Sequence, residues 1–199
     1  MRKLGLWVSL MIFGWSSGVS AVPIQWTVAE GGNGHWYDII RTGGDGSESG
    51  VPNGLYSSWD DARLDAISRE GYLATFTSPE EWAFFVSIYP TGGGGMNWLG
   101  GFQNTSSPTY LEPSGGWEWV TGEPWVFSQW DPEQPNQTGQ ENHLTSWGES
   151  GATWNDQWNP YPTGFPYAIE YDTNPIPEPS TALLLGVGLA SLAARREKR

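Results

Sequence analysis

The 199-residue chain has no cysteine, two histidines, and nine lysines and arginines against 22 aspartates and glutamates. The missing cysteines exclude a disulfide framework, a thiolate metal site and a cysteine nucleophile together. His35 and His143, more than a hundred residues apart and without a third histidine, do not make a zinc set. A formal charge of −13 works against duplex nucleic acid, whose phosphates need lysine and arginine, so no nucleic-acid partner is expected. Charged residues are 16% of the chain, below the roughly 25% of an ordinary soluble domain, which leaves uncharged polar and aromatic groups to carry the surface chemistry. With 14 tryptophans, the chain is too aromatic for a disordered acidic tail.

Both ends read as signals. Met1-Arg2-Lys3, an apolar run from Leu4 to Trp15 and the small-residue exit Val19-Ser20-Ala21 describe a secretory signal peptide over residues 1–21. At the other end Pro177-Glu178-Pro179 precedes an apolar stretch, residues 181–194, closed by Arg195-Arg196-Glu197-Lys198-Arg199. Taken alone this is a marginal membrane segment with arginines on the cytoplasmic side. The triplet, stretch and basic cluster in that order resemble the PEP-CTERM sorting signal of Gram-negative bacteria that make exopolysaccharide. The resemblance implies transient inner-membrane anchoring through 181–194, processing by an exosortase, and a final place at the cell surface or in the extracellular matrix. Without the two ends only Arg41, Arg63 and Arg69 remain as bases against 21 acids, a charge of about −18. Such a domain repels anionic surfaces and attracts cations such as calcium.

Between the signals, residues 22–174 read as one loop-rich domain. Short strands are expected around Ile24–Val28 and His35–Ile40, with a glycine-rich excursion at 42–54. Ser58 caps a helix bearing Asp60 and Asp61 in its first turn, with Trp59, Ala62, Ala66 and Ile67 at helical spacing and Gly71 as its stop. After a strand at Tyr72–Phe76, Ser78-Pro79-Glu80-Glu81 opens a second helix through Trp82, Phe85, Val86 and Tyr89, with both glutamates taken as N-terminal acids. Later β segments are expected at Met96–Phe102, Trp117–Val120 and Tyr167–Tyr171, giving an α+β arrangement. Residues 122–159 show almost no regular pattern, the mark of a functional or ion-binding loop.

The order Trp59-x-x-Ala62, Gly71-Tyr72-Leu73-Ala74, Asn97-Trp98-Leu99-Gly100-Gly101, Trp117-x-Trp119, Gln134-Pro135-Asn136, Glu141-Asn142, Trp154-Asn155-Asp156 and Ile169-Glu170 resembles a C-type lectin-like domain. The resemblance implies two helices, short antiparallel β-sheets and a long calcium-binding loop region. It also implies a primary calcium site made by Gln134, Asn136, Glu141, Asn155 and Asp156, with Pro135 in the cis form. Three neutral amides and two carboxylates suit a hard divalent ion that takes six to eight oxygens. The same five residues are the implied carbohydrate contacts, because the amides keep NH₂ donors and the acids keep lone pairs for neighbouring sugar hydroxyls. Trp147, Trp154 or Trp158 would offer a ring to a pyranose face, whereas Trp98, Trp117 and Trp119 read as core.

Two departures from the family's pattern matter. Its usual four cysteines fall on Ala66, His143, Asn159 and Ile169, which removes a restraint of roughly 2–4 kcal/mol per bridge; the tryptophans are the expected substitute. Gln-Pro-Asn also mixes the family's mannose-type Glu-Pro-Asn and galactose-type Gln-Pro-Asp, which leaves sugar specificity open, and Glu133 would replace Gln134 as ligand after a one-residue shift. The expectation is a secreted or cell-surface, calcium-dependent carbohydrate-binding protein associated with exopolysaccharide or biofilm matrix. The alternative is a lectin-like protein-binding or structural matrix module without sugar binding. An enzyme is not expected: Glu133 and Glu141 could imitate a glycosidase pair, but acids beside a calcium loop are better explained as ligands.

Overall fold

The computed structural model describes residues 22–40, 58–88, 96–136, 139–147, 152–159 and 165–176. The expected signal peptide, the excursion at 42–54, Tyr89 and the sorting tail lie outside the described residues.

Among the described residues eight short strands, paired mostly antiparallel, form one mixed sheet. Its path runs β1 (Ile24–Gln25), β2 (Trp36–Ile40), β8 (Tyr167–Tyr171), β4 (Trp98–Gln103), β6 (His143–Trp147) and β7 (Thr153–Gln157). The short β3 (Tyr72–Leu73) pairs with β8, and β5 (Trp117–Trp119) pairs with β4. The β4–β8 pairing at Trp98 and Tyr167 is parallel. β6 and β7 correct the reading of 122–159 as one irregular loop. Both strands bury polar residues such as Thr145, Ser146, Asn155 and Asp156, so the alternation of apolar and polar residues that marks a half-buried strand is absent.

Helix α1 (Trp59–Ser68) begins at Ser58, whose hydroxyl accepts the Asp61 N–H as an N-cap. At its far end Glu70, not Gly71, takes the left-handed conformation, with φ +64°. Gly71 is needed for closeness: a Cβ there would lie 2.7 Å from the Glu170 carbonyl oxygen on β8. Helix α2 (Pro79–Ile88) starts with the Glu81 N–H donating to the Ser78 hydroxyl, while the Glu81 carboxylate reaches back to the Thr77 N–H at 2.7 Å, a variant of the capping box.

Each helix covers one buried cluster. Trp59, Ala62 and Ala66 of α1 pack with Leu73, Trp98, Tyr167 and Ile169. Trp82 and Phe85 of α2 pack with Phe76, Trp119, Leu144 and Trp154. Burying each large side chain contributes about 1.5–3 kcal/mol. Trp98, Trp117 and Trp119 are core residues as expected. At the positions where cysteines were missed, Ala66 and Ile169 share one apolar cluster. Asn159 ties α1 to the end of β7 by accepting the Trp59 N–H at 2.9 Å and donating to Asp60 at 2.8 Å, and His143 packs its ring 4.7 Å from that of Trp59. Burial holds the His143 imidazole down at about 4, so it is neutral at ordinary pH.

Candidate functional site

The site is built on Trp154. Its indole, fully buried, meets Trp82, Trp119, Trp125 and Trp130 at centroid distances of 5.5, 5.6, 5.7 and 6.0 Å, in edge-on geometries that aromatic quadrupoles favour. The backbone of Trp154 is pinned as well: its N–H donates to Gln129 O at 2.8 Å and its carbonyl accepts from the Asp131 N–H at 2.9 Å. Thr153 adds a hydroxyl bond of 2.8 Å to the Asp131 carboxylate. Segment 129–131 therefore lies beside β7, which fixes where the next residues, Gln134, Pro135 and Asn136, arrive.

There the chain turns back on β7. The Gln134 N–H donates to Asp131 O at 2.9 Å, and the Gln134–Pro135 bond is cis. The Asn136 N–H points at both oxygens of the fully buried Asp156 carboxylate, at 3.2 and 3.1 Å. Asn155 is buried beside it and donates its amide to the Asp156 carbonyl. Glu141 comes near Asp156 from the loop before β6: burial, and then the Asp156 charge, push its carboxyl up to about 6, the behaviour of two neighbouring acids.

Asn136, Asn155 and Glu141 thus stand around Asp156, and Gln134 lies two residues before Asn136 on the same turn. Among the described residues Gln134 Oε1 is buried without a hydrogen-bond partner, a placement that costs roughly 1–3 kcal/mol if nothing pairs with it. Glu133, the one-residue alternative, is exposed with φ +75°. Among the described residues no three or more His, Asp or Glu side chains cluster to hold a metal; the donors here are two carboxylates and three amides. Of the three candidate platforms, Trp154 is corrected to core. Trp147 is half-buried, and Trp158, two residues beyond Asp156, is 44% exposed.

A second polar cluster was not legible in the sequence. Glu81, the expected helix N-terminal acid of α2, is also buried, with Tyr37 and Asn33 donating to its Oε1 at 2.7 Å each. Tyr37 also lies 3.3 Å from Glu170, which receives the Thr75 N–H at 2.9 Å and pairs with His35 Nδ1 at 2.6 Å. Burial pushes Glu170 up to about 7 although His35 and the Thr75 N–H oppose it. The hydrogen bond to Glu170 raises His35 against its own burial.

The architecture matches solved structures across most of its length. It superposes with TM-score 0.53 on the cow C-type carbohydrate-recognition domain of CD23 solved in the presence of an oligosaccharide, at 21% identity over 76% of this chain and 94% of that one. A calcium-independent type II antifreeze protein matches with TM-score 0.52, at 19% identity over 77% of this chain and 96% of that one.

The chain has a C-type lectin-like fold.

In sequence, 99 residues are 31% identical to the human C-type lectin domain family 17, member A, covering 50% of this chain and 23% of the relative's length. The PEP-CTERM protein-sorting motif matches residues 175–199, so a C-type lectin-like fold is followed here by a sorting tail. Among solved proteins of this fold, dependence on calcium differs: one type II antifreeze protein is calcium-independent and another is calcium-dependent.

Proposed function

We propose that the chain is an exported, calcium-dependent carbohydrate-binding protein of a Gram-negative bacterium that engages exopolysaccharide or another glycan of the biofilm matrix. The observation that supports this reading is Asn136, Asn155 and Glu141 standing around Asp156, with the nearby Gln134 amide oxygen buried and unpartnered among the described residues. These residues fit calcium: two carboxylates balance one divalent charge and amide oxygens fill further places. The ion would supply positive charge between Glu141 and Asp156 and a seat for sugar hydroxyls. Around it the NH₂ groups of Gln134 and Asn136 donate to hydroxyl oxygens, and the acids accept from hydroxyl hydrogens. Trp158 offers the exposed ring for a pyranose face. The sorting motif supports export by the exosortase route, with residues 1–21 as signal peptide, 22–174 as the binding domain, and the cell surface or matrix as destination.

The test is calorimetry with calcium and a glycan array, each with and without chelator. Binding of both, with sugar binding lost in chelator, is expected; neither calcium nor sugar binding would end the proposal. A second reading, a protein-binding or structural matrix module, is favoured by one contact. The Asn136 N–H already ties the loop to the Asp156 carboxylate by a bond shared between its two oxygens, a restraint on the loop's shape that needs no ion. That reading gives calcium-dependent melting without competition by any monosaccharide.

A further inference from the structure

The loop that carries Asn136 and Glu141 is held at both ends. Asn136 is tied to Asp156, and the Asn142 carbonyl accepts the N–H of Gln103, on β4, at 2.8 Å. Between them, among the described residues, lies a further tether: the Gly139 N–H donates to Oε1 of Glu112 at 2.9 Å. Glu112 belongs to a different connection, between β4 and β5, and is itself fixed. The Tyr110 hydroxyl donates to the same oxygen. The next carbonyl, of Pro113, accepts from Gln103 Nε2 at 3.2 Å and from Trp117 Nε1 at 3.1 Å, and Gly115 O accepts from Gln103 Nε2 at 2.8 Å. Buried Gln103 therefore holds both loops, through its backbone and its side chain, and Glu112 closes the link on the outer side.

We infer that Glu112 is a positioning residue for the ion and sugar site: its carboxylate, through Gly139, sets where Glu141 stands two residues later. This rests on the calcium reading above. It is a role for a hydrogen-bond acceptor and not for a charge, and that difference makes it testable. Glutamine keeps an oxygen for Gly139 and Tyr110 and puts its NH₂ where Glu112 Oε2, buried and unpartnered among the described residues, already has no bond to lose. Alanine removes the acceptor altogether.

The experiment uses the full chain as wild type, Glu112→Gln and Glu112→Ala. It measures calcium affinity by calorimetry, melting in chelator, and hydrogen exchange of the Gly139 amide in chelator by NMR. Glu112→Ala is expected to bind calcium roughly tenfold more weakly, the loss of one charge-assisted hydrogen bond, and to lose Gly139 protection. Glu112→Gln should stay within about threefold of wild type and keep that protection. Glutamine as weak as alanine, with Gly139 still protected, would overturn the inference and make Glu112 a ligand through its charge. Unchanged Gly139 exchange in Glu112→Ala would also overturn it. If wild type binds no calcium, the functional reading fails, while the Gly139 exchange pattern still decides whether the strap exists.

Discussion

Replacing Glu170 with glutamine removes one titrating group from the cluster that joins His35 on the segment before β2, Thr75 after β3, Glu81 on α2 and Tyr37 on β2 to strand β8. Burial raises the Glu170 carboxyl from 4.5 to about 7, and the raised His35 acts in the same direction because the pair shares a proton. The folded protein therefore binds this proton more tightly than the unfolded chain does. The stability contributed by the cluster is complete below the unfolded value of 4.5 and is lost as pH rises through about 7. Between about pH 5 and about pH 8 the loss from Glu170 comes to about 2.5 kcal/mol, or about 7 °C of melting temperature for a domain of this size. Other charges facing the cluster are Asp172, 3.8 Å from His35 Nε2, and Glu81; both remain in the variant. The measurement is thermal melting of wild type and Glu170→Gln in chelator across that range, read as the difference between the two curves so that titrations outside the His35–Glu170 pair cancel. Wild type should fall relative to the variant as pH rises. Parallel curves would refute the argument that burial, and not simple ion pairing, governs this carboxyl.

Asp156→Asn should leave the fold intact, since the amide oxygen still accepts the Asn136 N–H, yet weaken calcium binding more than roughly a hundredfold by removing one of two charges; calorimetry checks it, with melting in chelator as the control. Trp158→Ala should weaken glycan binding by about 1 kcal/mol, the worth of one aromatic contact, with calcium affinity unchanged in the same titrations. Asn159→Ala removes the two bonds that stand where the family's bridge would be, and chemical denaturation should show a loss of about 1–3 kcal/mol.

The two helices were legible because their signals are local: the Ser58 hydroxyl reaches Asp61 and the Ser78 hydroxyl reaches Glu81, three residues on in each case. The five proposed site residues come from motif order alone, carried by the resemblance. Strands β6 and β7 were not, because the polar residues they bury pair with distant groups. Asn136 meets Asp156 across 20 residues, and Thr153 meets Asp131 across 22. Glu81 sits where a helix-start acid belongs, and only the Tyr37 hydroxyl, 44 positions earlier, shows it to be buried. Glu112 carries no mark in its neighbourhood; its partner Gly139 is 27 residues away.

By itself the sequence determined composition and everything that follows from near neighbours: an acidic, cysteine-free, tryptophan-rich chain with two capped helices and a sorting tail. These follow from covalent chemistry and from bonds a few residues long, which need no fold to exist. Tertiary structure alone decided which acids are buried, which oxygen stands without a partner, which tryptophan faces solvent, and which loop holds another in place. Ionisation, desolvation and loop order depend on what lies within a few ångströms in space, and at Glu170 that neighbour is His35, 135 residues away along the chain.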